Sequence, residues 1–128
     1  MKYLITSLLL IFFVVGVSYP VIEEEKVEIC NEGICVVQFN AKFNAANEVT
    51  WLNELTDCTT ATVDIMEDPN IPKDYKIVVV PTILILEDGA EVARFQANIM
   101  MTMETTQNEV QESIDEIIMS KFYNLLVY

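Results

Sequence analysis

Residues 36–47 constrain the fold more than any other part of the chain. They read Val-Val-Gln-Phe-Asn-Ala-Lys-Phe-Asn-Ala-Ala-Asn, an apolar run followed by a short polar break. Val49, Leu52 and Leu55 come next at helical spacing, so the pattern predicts a strand, a tight junction and an amphipathic helix that ends near Leu55. Asn44 stands where the helix N-cap is expected, because its side-chain oxygen could accept an N–H of the first turn.

Residues 77–92 carry a second pattern, in which a proline opens an apolar run and an Asp-Gly pair interrupts it. Pro81 has no N–H to give to a strand ladder, so it fits only at the first residue of a strand or on a sheet edge. Asp88 and Gly89 between two apolar runs are the strongest short-range signal for a hairpin. We therefore predict a hairpin that begins at Pro81 and closes near Phe95.

Together the two stretches resemble the thioredoxin family. In that family an apolar strand containing Phe-x-Ala leads into Cys-x-x-Cys at a helix start, and a cis-Pro-Thr pair later opens a hairpin with Asn-Gly or Asp-Gly at its tip. The resemblance covers residues 35–121. It implies an α/β fold, a truncated thioredoxin-like three-layer sandwich whose mixed sheet of about four strands is flanked by helices. It also implies a cis peptide bond before Pro81.

The chain departs from the family pattern at the active site. Asn44 and Asn47 match the two cysteines, Phe43 matches the preceding Trp, Gln38 matches a buried Asp, and Thr62 matches its Lys partner. An amide can neither ionise to a thiolate nor form a disulfide. The resemblance thus implies no catalytic residue here, and a redox-inactive, thioredoxin domain-containing protein that binds a peptide or protein. The implied binding residues are Phe43, Asn44, Ala45, Ala46, Asn47, Val80, Pro81 and Thr82.

Three cysteines remain, and they permit three single pairings. Cys30 and Cys35 flank a turn and could close a hairpin disulfide, whereas Cys58 begins the strand expected beside Cys35 and offers a cross-strand partner. A disulfide would be a structural staple or a relocated redox pair, and the alternative to a disulfide is that the cysteines are buried reduced thiols. In the second case the protein is a thiol–disulfide oxidoreductase that uses Cys30 and Cys35. A structural or assembly subunit that uses the apolar C-terminal tail is a third alternative.

The chain of 128 residues predicts one domain with short flanking segments. Residues 1–18 have a basic start, an apolar run and small residues at its end, which is typical of a secretory signal peptide, with an uncleaved membrane anchor through residues 4–17 as the alternative. We therefore expect the protein to be exported, to a periplasm, secretory lumen or extracellular space, or membrane-anchored. Residues 19–26 form an acidic linker, residues 27–121 the thioredoxin-like domain and residues 122–128 an apolar tail, which we expect to self-associate or contact a membrane.

Charge and composition exclude several functions. Twenty acidic and seven basic residues give a net charge of −13, which repels phosphate backbones, so we predict no nucleic-acid partner. The chain has no histidine, which removes imidazole catalysis and the commonest metal ligand, and we predict no metal and no cofactor. Met100, Met101 and Met103 are a flexible contact surface or ordinary packing rather than a copper site.

The other predicted elements follow from local patterns. A hairpin or a strand-turn-strand is expected over residues 27–37, a strand over residues 59–65, and a short helix over residues 67–75. Residues 106–119 are predicted to be helical, since apolar residues recur there at helical spacing. Phe43 is expected to be exposed at the binding groove, and Trp51 to lie in the core or the groove wall.

Overall fold

A computed structural model describes residues 27–127 and, apart from these, Gly16. The predicted signal peptide or anchor and the acidic linker lie outside the described residues, Gly16 excepted. Within the described part, no helix combines the length and apolar character that crossing a membrane requires.

The described chain forms one four-stranded mixed sheet with helices on both faces, which confirms the predicted α/β sandwich. The strand order is β2-β1-β3-β4; β1 and β2 are parallel, and the other neighbours are antiparallel. The strands are β1 (Ile34–Asn40), β2 (Thr59–Asp64), β3 (Thr82–Glu87) and β4 (Ala90–Gln96). The α-helices are α1 (Asn70–Asp74) and α2 (Gln107–Val127), and two 3₁₀ segments span Lys42–Asn47 and Leu52–Glu54.

Side-chain alternation along β1 divides the core between the two faces of the sheet. Cys35, Val37 and Phe39 face α1, where the Phe39 ring lies 5.2 Å from that of Tyr75. Val36 faces the opposite side together with residues of β3, the 3₁₀ region and α2. β1 is therefore covered on both faces and paired on both edges, and the site is built at the end of this interior strand.

The predicted hairpin and C-terminal helix are confirmed. Asp88 and Gly89 both have positive φ, 50° and 85°, as a two-residue type I′ turn requires. At the start of α2, the Thr106 N–H donates to Glu109 Oε2 at 2.7 Å, and the Glu109 N–H donates back to Thr106 Oγ1 at 3.3 Å. This reciprocal pair is a capping box, and it fixes where the helix begins. The helix continues through the residues of the predicted tail as far as Val127.

The prediction of a strand before the Cys30–Cys35 turn is wrong. Residues 27–33 form no strand, and their N–H groups are used elsewhere: Val27 N–H donates to Asp74 Oδ2 at 3.0 Å and Ile29 N–H donates to Tyr75 Oη at 3.1 Å. The physical reason is that both edges of β1 are already occupied, by β2 and β3. No edge of β1 remains for residues 27–30.

The predicted α-helix over residues 44–55 is also wrong, because two short 3₁₀ segments take its place. Asn44 itself has non-helical angles, φ −113° and ψ 21°, and Ala41 occupies the N-cap position without a side-chain cap. Within the predicted helix, both backbone groups of Val49 bond to the Gln38 side chain of β1. Gln38 accepts the Val49 N–H at 2.7 Å and donates to the Val49 carbonyl at 3.1 Å. A residue whose backbone groups are both bound in this way is removed from a helical ladder.

Candidate functional site

Three segments of the chain meet at the Asn44 side chain, beside the carboxyl end of β1. Asn44 is buried, and its amide nitrogen lies 3.2 Å from each of three acceptors: Asn40 Oδ1, the Val80 carbonyl and the Met101 carbonyl. Its amide oxygen accepts a hydrogen bond from Asn47 Nδ2 at 2.8 Å. An amide nitrogen carries only two hydrogens, so these three acceptors share them. Asn44 therefore ties the end of β1, the loop before β3 and the loop after β4 to one another.

Residues 80–82, at the end of the loop before β3, are buried rather than open. The Val80–Pro81 peptide bond is cis, as the resemblance implies, and Val80, Pro81 and Thr82 are all buried. The Thr82 hydroxyl donates to the Val79 carbonyl at 2.7 Å, and the Val80 carbonyl is occupied by Asn44. These residues shape the site from beneath and present no exposed side chain to a ligand.

Exposed apolar side chains occur on the same three segments. Phe43, Val78, Ile99 and Met100 come from the three segments that Asn44 joins, and each is more than two-thirds exposed. We call these four residues the apolar rim. Sequence reasoning identified Phe43 and Met100 but missed Val78 and Ile99. The sequence around Val78 and Ile99 did not mark them as site residues, because single apolar residues in loops are common on protein surfaces.

The other predicted binding residues divide by exposure. Ala45 and Ala46 are exposed on the 3₁₀ segment and Asn47 is half-buried. Trp51 is half-buried against the α2 side of the core, as predicted. Met103 packs on that same core, whereas Met101 is exposed and contributes its carbonyl to Asn44.

The interior of the site is uncharged. Gln38 is fully buried and pairs with Thr62 across β1 and β2, with their side chains 3.4 Å apart. Neither Gln38, Thr62, Asn44 nor Asn47 can bind or release a proton near neutral pH. The site therefore has no group among these four for acid–base chemistry.

Cys30 and Cys35 form a disulfide with a Cα–Cα distance of 6.4 Å, at the other end of β1. That end lies beside the β3–β4 turn, where the Gly33 N–H donates to Asp88 Oδ1 at 2.9 Å. Asn40 lies five positions after Cys35 along β1, which is about 17 Å at about 3.4 Å per residue. The disulfide and the Asn44 site are therefore separate places in the molecule.

Cys58 is a free, half-buried thiol just before β2. Burial raises the pKa of this thiol, and the neighbouring Asp57 carboxylate raises it further. Since the thiolate is the reactive form, Cys58 is a poor nucleophile at neutral pH. Across residues 27–127, no group of three or more potential His, Cys, Asp or Glu ligands is arranged to hold a metal ion.

Comparison with known proteins gives structural neighbours only. No protein-family model matches the chain, and no curated protein matches it. A mutant thioredoxin from Halobacterium salinarum NRC-1 is 18% identical, with a TM-score of 0.51 over 66% of this chain and 74% of that one. Thioredoxin-2, described as a component of a malaria parasite's protein secretion machinery, is 18% identical, with a TM-score of 0.54 over 66% and 82%.

Thioredoxin 1 from Thermosipho africanus TCF52B is 20% identical, with a TM-score of 0.53 over 68% of this chain and 97% of that one. At such identities these likenesses establish the fold alone. The chain has a thioredoxin-like fold.

Proposed function

We propose that this thioredoxin-like domain is a redox-inactive binding module that takes an apolar segment of a peptide or protein at the Asn44 site. The observation that carries the proposal is the Asn44 side chain, an amide at the position matched to a family cysteine, which bonds to three segments of chain. Its role is structural, since an amide cannot exchange with a disulfide. A site held in one arrangement in this way loses little conformational entropy when a ligand binds.

The chemistry of the ligand follows from what surrounds Asn44. The apolar rim offers four exposed hydrophobic side chains, and rims of this kind mark interaction surfaces when they are contiguous. The Val80 carbonyl is already bonded to Asn44, so recognition relies on side-chain contacts more than on pairing with the backbone of this loop. An extended segment with two or more large apolar side chains fits this surface.

The setting we propose is outside the cytoplasm, in exported or membrane-tethered form. The signal-like pattern of residues 1–18 supports this proposal, and so does the Cys30–Cys35 disulfide, because disulfides persist mainly in oxidising compartments. The net charge of −13 supports a protein or peptide partner over a nucleic acid.

Selection from a random-peptide display library on the full chain tests the binding proposal. We expect enrichment of peptides with paired large apolar residues. We further expect Phe43→Glu or Met100→Glu to raise the dissociation constant of a selected peptide by about tenfold or more. Each substitution removes apolar contact area and places a charge where the bound peptide would exclude water. Val92→Glu is the matched control, since Val92 is an exposed apolar residue on β4 near the turn, away from Asn44. Equal losses in the rim and control variants, or no enrichment, would contradict the proposal.

The Cys30–Cys35 disulfide favours a second candidate, thiol–disulfide exchange. Cys30 lines a cavity of about 440 Å³ next to the β3–β4 turn, whereas Cys35 is buried, with its sulfur 2.9 Å from Thr59 Oγ1. An external thiolate would attack Cys30 Sγ and form a mixed disulfide. The Cys30–Cys35 bond would break, and its electron pair would leave on Cys35 Sγ, where the Thr59 hydroxyl can donate a hydrogen bond.

Insulin reduction with dithiothreitol separates the two candidates. Because the Asn44 site carries no thiol, we expect the wild-type rate to equal that of buffer with dithiothreitol. We expect Cys30→Ser and Cys35→Ser to leave the rate unchanged. A wild-type rate well above buffer that disappears in either variant would instead establish exchange at Cys30 and Cys35.

A further inference from the structure

The C-terminal helix α2 exchanges its polar and apolar faces part of the way along its length. One row of side chains, at spacings of four and three, faces the sheet and consists of Val110, Ile114, Ile117, Lys121 and Asn124. The opposite row faces away from the sheet and consists of Glu112, Asp115, Met119, Phe122 and Leu126. The sheet-facing row is apolar first and polar afterwards, and the outward row is acidic first and apolar afterwards.

Contacts in the structure fix the direction of the sheet-facing row. Val110 and Ile114 are fully buried, and Ile117 packs on the same core. Further along, Lys121 Nζ lies 3.5 Å from Glu87 Oε1 on β3. Lys121, Asn124 and Leu125 also line a cavity of about 590 Å³ between α2 and the β3–β4 hairpin. In the second half of the helix, the side toward the sheet therefore carries Lys121 and Asn124 together with one leucine.

The apolar residues of the second half are consequently left in solvent. Every residue from Met119 to Val127 is exposed, and six of them are large and hydrophobic and more than half exposed. Leu125 lines the cavity on the sheet side of the helix. The other five, which we call the tail patch, are Met119, Phe122, Tyr123, Leu126 and Val127. They cannot turn onto the sheet by rotation of the helix, because that rotation would expose Val110 and Ile114.

Charge distinguishes this segment from the rest of the chain. The chain has 20 acidic residues, yet none follows Glu116, and Lys121 is the single charged side chain beyond it. The absence of carboxylates is what burial against an apolar surface requires, since an unpaired buried charge is costly. Residues 119–127 rise over about 13 Å at about 1.5 Å per residue, which is far less than a bilayer span.

We propose that the tail patch is the dimerisation surface of the protein and that its occupant is the tail patch of a second copy. Five large side chains offer roughly 600 Å² of surface, which approaches the roughly 800 Å² per partner of a standard interface. An antiparallel pairing over residues 119–127 places each tail on the other. It leaves the acidic halves of the two α2 helices at opposite ends, where their like charges do not face each other.

Sedimentation velocity of the full chain across a wide concentration range tests this proposal. We expect a concentration-dependent dimer in the wild type. Leu126→Glu should raise the apparent dissociation constant by about tenfold or more, because it places a charge at the centre of the patch. Asn124→Glu is the matched control: it adds the same charge to the same exposed segment, but in the sheet-facing row, and should change the constant by less than about twofold.

Thermal unfolding of each variant accompanies this measurement, and since Leu126 is exposed we expect Leu126→Glu to remain folded. A wild type that stays monomeric at the highest concentration would overturn the proposal, as would equal dimerisation in both variants. Flotation with neutral phosphatidylcholine vesicles provides a further check. If the wild type floats and Leu126→Glu does not, the patch contacts lipid and the proposal of a second copy is overturned.

Discussion

Replacing Asn44 with aspartate should lower the free energy of unfolding by about 3–5 kcal/mol at pH 7, although the side chain keeps its shape. The amide nitrogen lies 3.2 Å from three acceptors, at Asn40, Val80 and Met101. The substitution puts a carboxylate oxygen in its place, so a donor becomes an acceptor facing other acceptors. The new charge is buried with the Asn47 Nδ2 hydrogen bond as its remaining contact, and the carbonyls of Val80 and Met101 lose their donor.

The same change should make stability depend on pH in a defined direction. The site disfavours the charged carboxylate, so the pKa of the new group is raised in the folded state above its unfolded value of about 3.9. The destabilisation is then fully present above the raised pKa, and it diminishes as the pH falls through that value, because a protonated carboxyl can donate one hydrogen bond. The stability gap between wild type and variant should therefore narrow on acidification.

Urea denaturation at pH 7 and at about pH 4 measures both effects. Asn47→Asp is the control, since Asn47 is half-buried and makes one bond to Asn44 at 2.8 Å; we expect it to cost about 1 kcal/mol. Comparable losses at both positions, or a gap that widens with acid, would show that Asn44 does not join the three segments energetically.

A second large effect is expected for Gln38→Met, which should destabilise the protein by about 2–5 kcal/mol. Gln38 is fully buried and its amide bonds both backbone groups of Val49, accepting the N–H at 2.7 Å and donating to the carbonyl at 3.1 Å. Methionine fills a similar volume but bonds neither group. Both backbone groups of the buried Val49 would then be unsatisfied in a place that water does not easily reach.

The chain contains a matched control for this prediction. Gln111 bonds both backbone groups of Thr56 in the same pattern, accepting the N–H at 2.9 Å and donating to the carbonyl at 3.2 Å, but on the surface. In Gln111→Met water can replace both bonds, so we expect a loss of less than about 1 kcal/mol. Equal losses in chemical denaturation of the two variants would mean that burial of the Val49 groups contributes nothing to the difference.

The sequence by itself determined the elements whose cause is local. Asp88 and Gly89 accept positive φ, so the hairpin was predictable from two adjacent residues. Val110, Ile114 and Ile117 recur at helical spacing, and the helix they predict is present. The cis bond before Pro81 was implied by the resemblance, as was the mixed four-stranded sheet. For the hairpin and the helix, the residues that decide the structure are neighbours in the chain or repeat with the period of one element.

Tertiary structure decided the rest, because partners distant in sequence compete for the same backbone groups. Residues 44–55 have the apolar spacing of a helix, yet Gln38, 11 residues before Val49, binds both backbone groups that the helix would have used. Residues 27–30 have the composition of a strand, but β1 had no vacant edge for them. Periodicity reports which side of a segment is apolar. It does not report which donor or acceptor from a distant part of the chain will bond to the backbone of that segment. Here the bonds from Gln38 to Val49 replaced a helical ladder beside the candidate site.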